Sequence, residues 1–210
     1  MDIIDKNVNK TSAAEPRRRR QPEAARENIL AAAEAMLIEA GPQSLKLADT
    51  ARAAGVSNAS VLHYFGSTDG VQTALMERMV RQLVDQVLAI SPRGAASIET
   101  AAEGIIALFD AFEARGAARL AAWLELTGES RRLTVVRAAV QEVVAARAGW
   151  FAAVPGEAME DFMLASISLA LGVGLFGPTL TDLLGKPAGR AREVALRLLL
   201  GQLQNAITAI

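Results

Sequence analysis

The segment SNASVLHYF, residues 57–65, holds the single histidine and the single tyrosine of the chain, His63 and Tyr64, side by side. An imidazole next to a phenol can move a proton, pack as an aromatic pair, or offer hydrogen-bonding groups to a partner. General acid–base work needs a substrate-facing pair tuned by neighbouring charge, and no carboxylate adjoins these two. One histidine and no cysteine leave no ligand set for a His/Cys metal centre. The run GVGLFG, 172–177, spells G-x-G-x-x-G, but a dinucleotide site needs that run between a strand and a helix. Here it lies late in an apolar helix pattern, where Ala170, Gly172, Gly174 and Gly177 suit close helix–helix approach. Neither an enzyme nor a cofactor nor a metal is expected.

The third use of the pair, presentation to a partner, depends on the helix that carries it. On a helical wheel Val61 and Phe65 fall together, flanked by Asn58 and Leu62; Ala59, Ser60, His63 and Tyr64 take the other side. Ser57 is a good N-cap for this two-turn helix. A short helix over 47–54 precedes it, with Leu47, Thr50, Ala51 and Ala54 on one face. Gly55 then permits a left-handed turn, and Val56 plugs the core. Two short helices joined through a tight glycine turn form a helix-turn-helix, which lays its second helix in the DNA major groove.

The stretch ADTARAAGVSNASVLHYFGSTDGV, 48–71, resembles the TetR family of bacterial transcriptional regulators. Ala51, Ala54, Gly55, Val56, Ser57, Val61, Phe65, Gly66 and Ser67 carry the resemblance. It implies a dimeric DNA-binding regulator, a repressor in most such proteins, which binds a pseudo-palindromic operator and is released by a small-molecule effector. Leu62 stands where the family usually has tyrosine, and Thr68 where it usually has lysine; both usually contact phosphates. The DNA-binding set expected here is Arg17, Arg18, Arg19, Arg20, Lys46, Ser57, Asn58, Ala59, Ser60, His63, Tyr64 and Thr68. The four arginines would reach phosphates or a narrow minor groove, and Lys46 adds charge at a helix N-terminus. The alternative is a helical ligand-binding or interaction protein whose head has weakened or lost DNA binding.

The rest of the chain must position this head. Alanine and leucine dominate a composition that is 51% hydrophobic and 4% aromatic, which favours helices throughout. The expected fold is all-α, with a three-helix N-terminal domain, a larger helical ligand-binding and dimerisation domain, and about nine helices in total. The expected boundaries are a disordered basic arm over 1–22, the helix-turn-helix domain over 23–68, and the effector and dimerisation domain over 69–210. Helices are expected over 23–40, 47–54, 58–65, 69–90, 97–114, 117–128, 132–153, 157–177 and 188–208.

The net charge is −1, but residues 17–64 carry seven Lys/Arg against five Asp/Glu, and the positive end holds the arginine run. The absence of cysteine suits a reducing cytoplasm, and the first ten residues lack the apolar core of a signal peptide. Phe162 to Thr181 carries no charge and could span a bilayer by length. Acidic flanks without basic or aromatic anchors favour a core and subunit interface instead, so no membrane is expected. A homodimer interface is expected at Gly172, Gly174, Phe176, Leu196, Leu199 and Leu203. An apolar ligand pocket with a polar end is expected among Phe109, Phe112, Arg119, Trp123, Trp150 and Phe151, with Glu125 or Arg119 as the polar group.

Overall fold

The computed structural model describes residues 15–90, 97–129, 134–147 and 156–208, with side chains from Pro22 onward in most of these stretches. Among the described residues there are nine α-helices and no strand. They are α1 (Glu15–Ala40), α2 (Leu47–Ala54), α3 (Asn58–Phe65), α4 (Thr68–Ile90), α5 (Ile98–Glu113), α6 (Ala117–Leu126), α7 (Thr134–Arg147), α8 (Gly156–Leu183) and α9 (Arg190–Thr208). A 3-10 turn, Pro42–Ser44, links α1 to α2.

Local signals account for most helix ends. Gly41 and Gly55 take positive φ, 86° and 67°, where other residues are strained. Gly55 closes α2 by donating its N–H to the Ala51 and Arg52 carbonyls. Ser57 caps α3 by accepting the Ser60 N–H. At α5, Ser97 and Thr100 cap each other reciprocally in a capping box.

Two expected boundaries move. Helix α1 begins at Glu15 rather than near Glu23, so the backbone of Arg17–Arg20 is helical instead of a loose arm. Arginine, glutamine, glutamate and alanine are good helix formers, and Glu15 sits at the N-terminus, where negative charge is favoured. Helix α8 runs through Pro178 to Leu183 instead of ending at 177. Proline inside a helix costs about 3 kcal/mol. Here Thr181 ties the backbone back, its hydroxyl donating to the Gly177 carbonyl at 3.0 Å, and α8 packs along α9.

Two apolar cores hold the layers together. The first joins Ile29, Leu30, Ala33 and Leu37 of α1 to Ala51, Val61, Leu75, Met79, Leu120 and Leu124. The second joins Ile105 and Phe109 of α5 to Ala170 and Val173 of α8 and Ala195 and Leu199 of α9. Between α3 and α4 the fold turns sharply: a Cβ placed on Gly70 would lie 1.9 Å from the Phe65 carbonyl oxygen, which is backbone and cannot step aside. Gly70→Ala therefore destabilises the protein by about 1–3 kcal/mol despite alanine's higher helix propensity. Urea unfolding followed by circular dichroism measures this; an unchanged midpoint would show that α3 and α4 are not held this closely.

Candidate nucleic-acid interface and effector cavity

The N-terminal head is built by α1 to α3. Asn28 of α1 donates its side-chain amide to the Ala54 carbonyl at 2.8 Å, pinning the end of α2 just before the turn. Thr50 and Ala51 are buried where α2 meets the core, and Val61 anchors α3 from the other side. Arg26 lies over the Phe65 ring at 5.2 Å, a cation–π contact that helps fix the end of α3.

The exposed arc of α3 consists of Asn58, Ala59, Leu62 and His63. It is rotated from the expected one. Tyr64 is half-buried against the head core and meets His63 edge-to-face, with ring centroids 5.2 Å apart. Its ring packs inward as an apolar body, so Tyr64 supports His63 and does not share its outward face. Leu62 takes the outer position and is 44% exposed. Ser60 is half-buried, and its hydroxyl pairs with the Ser57 hydroxyl at 2.9 Å. Lys46 is exposed immediately before α2, while Thr68 is half-buried at the start of α4, one residue after the Ser67 cap. The side chains of Arg17–Arg20 lie outside the described residues.

Three elements meet on Glu34 of α1. Arg78 of α4 pairs with Glu34 and also with Glu27. Arg115, in the turn between α5 and α6, donates to the other oxygen of the same carboxylate through Nε at 2.9 Å and Nη2 at 2.7 Å, and to Gln82. Arg119 adds a bond to the Ile38 carbonyl at 2.9 Å. Gly116, with φ 78°, lets this turn approach Leu37, whose Cγ would lie 3.3 Å from an added Cβ. None of these partners is close in sequence, so no local pattern announced the junction.

Behind it, α4 to α8 enclose a cavity of about 690 Å³, within the usual range for small-molecule sites. Its wall is overwhelmingly aliphatic and aromatic: Met76, Val80 and Val84 from α4, Leu108 from α5, Phe162 and Met163 from α8. Phe112 lines it as expected, and Glu125 stands at its rim. Phe109 does not; it is fully buried in the second core with Arg192 above its ring. Arg119 is committed to α1, and Trp123 is half-buried outside the lining. Trp150 and Phe151 lie outside the described residues. Met76 belongs to the head's core and to the cavity wall at once, and Val80, Phe112 and Ala121 pack on that core while lining the cavity.

Helices α8 and α9 leave an apolar face uncovered, including Phe176 at 59% and Leu198 at 61% exposure, with Leu164, Leu180, Leu183 and Val194. Only Phe176 of the expected interface set is strongly exposed. Leu199 and Leu203 are buried within the chain's own core, and Leu196 packs there too. Gly174 faces inward, where an added Cβ would sit 2.7 Å from the Ala118 Cβ, and Gly172 is half-buried. The stretch Glu157–Leu183 is long and apolar enough to cross a membrane by length and composition alone. Among the described residues no group of His, Cys, Asp and Glu side chains could hold a metal ion.

Residues 29–75, from the buried stripe of α1 through the first two turns of α4, match the family model "Bacterial regulatory proteins, tetR family". This segment of the head is thus similar to the N-terminal region of tetR-family regulators. An HTH-type transcriptional regulator of Mycobacterium tuberculosis is 35% identical over 69 residues, 33% of this chain and 34% of the relative. The match thus spans about a third of that curated relative. The fold extends further. The fatty acid degradation regulator FadR from Bacillus halodurans superposes with a TM-score of 0.59 at 17% identity, covering 83% of this chain and 94% of that one. A transcriptional regulator from Rhodococcus sp. Rha1 gives 0.58 at 18% identity, covering 87% and 97%. The all-helical fold is therefore shared with these two solved structures.

The rotation of α3 can be tested by stability. Tyr64→Ala lowers stability by about 1–3 kcal/mol, as removal of packed side chains does, whereas His63→Ala and Asn58→Ala stay within about 0.5 kcal/mol of wild type. Thermal melts of the three variants decide. A Tyr64→Ala variant as stable as His63→Ala would restore the arrangement in which both project outward.

Proposed function

We propose that this protein is a DNA-binding transcriptional regulator that grips an operator as a homodimer and lets go when a small apolar effector fills the cavity. The observation that carries the proposal is the exposed arc of α3, held at a fixed angle by the glycine turn and by Val61. Asn58 and His63 would read base edges. Ala59 and Leu62 would give apolar contact, as to a thymine methyl, and Lys46 with the Arg17–Arg20 run would meet phosphates. Ser57 and Ser60 would approach the backbone near the helix N-terminus, with Thr68 at its flank and Tyr64 supporting from behind. The working compartment of such a protein is the cytoplasm.

A dimer suits this reading. Two recognition helices must sit about 34–36 Å apart to enter successive major grooves. The uncovered face of α8 and α9, far larger in apolar side chains than scattered surface leucines would be, supports a second copy as its cover. This use also accounts for the apolarity of α8 without a bilayer. Release follows from the shared wall. A ligand that packs better against one position of α4 than another shifts the head with it, by no more than its differential affinity. The Glu34 junction transmits the shift, since Arg78 rides on α4 and Arg115 on the turn between two cavity-lining helices.

Fluorescence anisotropy with the DNA upstream of the protein's own gene tests this. Wild type is expected to bind at low salt, with affinity falling by a slope of about −0.9 in log K per neutralised phosphate. His63→Ala is expected to weaken binding roughly five- to hundredfold, as for one lost base contact. Leu198→Glu, placed on the α8–α9 face, is expected to weaken it by dissociating the dimer, which sedimentation of the same sample reports. No binding by wild type at low salt would favour a ligand-binding protein whose head no longer holds DNA, a reading that exposed Leu62 motivates.

A further inference from the structure

We infer that the cavity selects a monocationic, otherwise apolar small molecule, and that Glu125 receives its positive charge. This rests on the cavity being the effector site. The polar groups on its wall are few, and two are already spent. The Thr100 hydroxyl donates to the Ser97 carbonyl at 2.9 Å and accepts the Ser97 N–H at 3.0 Å, as part of the cap of α5. The Ser166 hydroxyl donates to the Phe162 carbonyl at 2.7 Å. Neither has a donor left for a ligand's anionic group.

Glu125 is different. It is the single ionisable side chain among the described lining residues, and no hydrogen bond or ion pair engages its carboxylate among those described. No described lysine, arginine or histidine lines the cavity. Three described arginines on or next to the cavity-lining helices are committed elsewhere: Arg115 to Glu34, Arg119 to the Ile38 carbonyl, and Arg81 to Glu142 at 2.7 Å. A ligand carboxylate or phosphate would therefore be stripped of water against aliphatic walls and meet a like charge at the rim. An ammonium would find a carboxylate that only accepts hydrogen bonds, at the point where the apolar volume opens to solvent. A long apolar body inside with the cationic head at the rim satisfies both.

The position adds a consequence. Glu125 lies on α6, one turn after Ala121 and Ala122 of the same wall, and α6 begins at Gly116, beside Arg115. A cation held at Glu125 pulls on the helix whose first turn abuts α1. Charge selection and signalling would then use one element.

The test compares three probes with the same chain, dodecylammonium, dodecanol and dodecanoate, each below its micelle concentration, by isothermal titration calorimetry on the full chain. The ammonium is expected to bind at least tenfold more tightly than dodecanoate. In Glu125→Gln the ammonium should weaken roughly ten- to hundredfold, the value of a charge-assisted hydrogen bond, while dodecanol stays unchanged. The side chain is exposed, so the substitution leaves the core intact. If dodecanol binds but the ammonium shows no preference over dodecanoate, or loses nothing in Glu125→Gln, charge selection is overturned and the apolar site stands. If none of the three binds, the cavity is not an effector site and the inference falls with it.

Discussion

Glu34 is the residue on which the arrangement of the two parts depends. Its carboxylate is shared by Arg78 and Arg115, and its side chain is only 15% exposed. A partly desolvated carboxylate between two guanidinium groups is stable only while both remain. Each arginine belongs to a different element, so the head, the long helix α4 and the α5–α6 turn are held in one register. Surface ion pairs contribute little on their own. This one differs because three helical elements converge on it and the chains around it are packed.

Helix α4 makes the junction meaningful. One side of it closes the head core through Val71, Leu75 and Met79, and another side faces the cavity through Val80, Leu83 and Val84. Close-packed interiors transmit displacement instead of absorbing it. A ligand pressing on Met76 therefore presses on the same cluster that seats Val61 of the recognition helix. Gly70 is the hinge side of this device, since α4 leaves α3 there with no room for a methyl group.

What the sequence disclosed was mostly local. Gly41, Gly55, Ser57 and Ser97 act within a few residues of themselves, and the helix ends they mark were expected correctly. The phase of α3 was misjudged because eight residues give a wheel few anchors, and Tyr64 satisfies an interior as well as a surface. The leucines of α9 run almost all round the helix, so Leu198 could not be told from Leu199 without the neighbours; one faces outward and the other is 1% exposed. The aromatic cluster pointed to a pocket but named its walls poorly, since Phe109 and Trp123 stand outside the lining to which Phe112 and Phe162 contribute. Aliphatic residues of α4 and α8 form most of that surface, and such residues look the same in sequence whether they border a void or a packed core. The Glu34 junction joins residues 44 and 81 positions apart, beyond any periodicity.

Filling the cavity is proposed to move two recognition helices of a dimer relative to each other. The chain contains no cysteine, so a single Ala53→Cys substitution at an exposed position of α2, outside the residues assigned to DNA, accepts one spin label per protomer. Pulsed electron–electron resonance on this protein should give a single inter-protomer distance when operator DNA is bound, fixed by the about 34–36 Å spacing of successive major grooves. Saturation with dodecylammonium should displace the distribution from that value. A distribution unchanged by bound ligand, or no inter-protomer distance at all, would contradict the account.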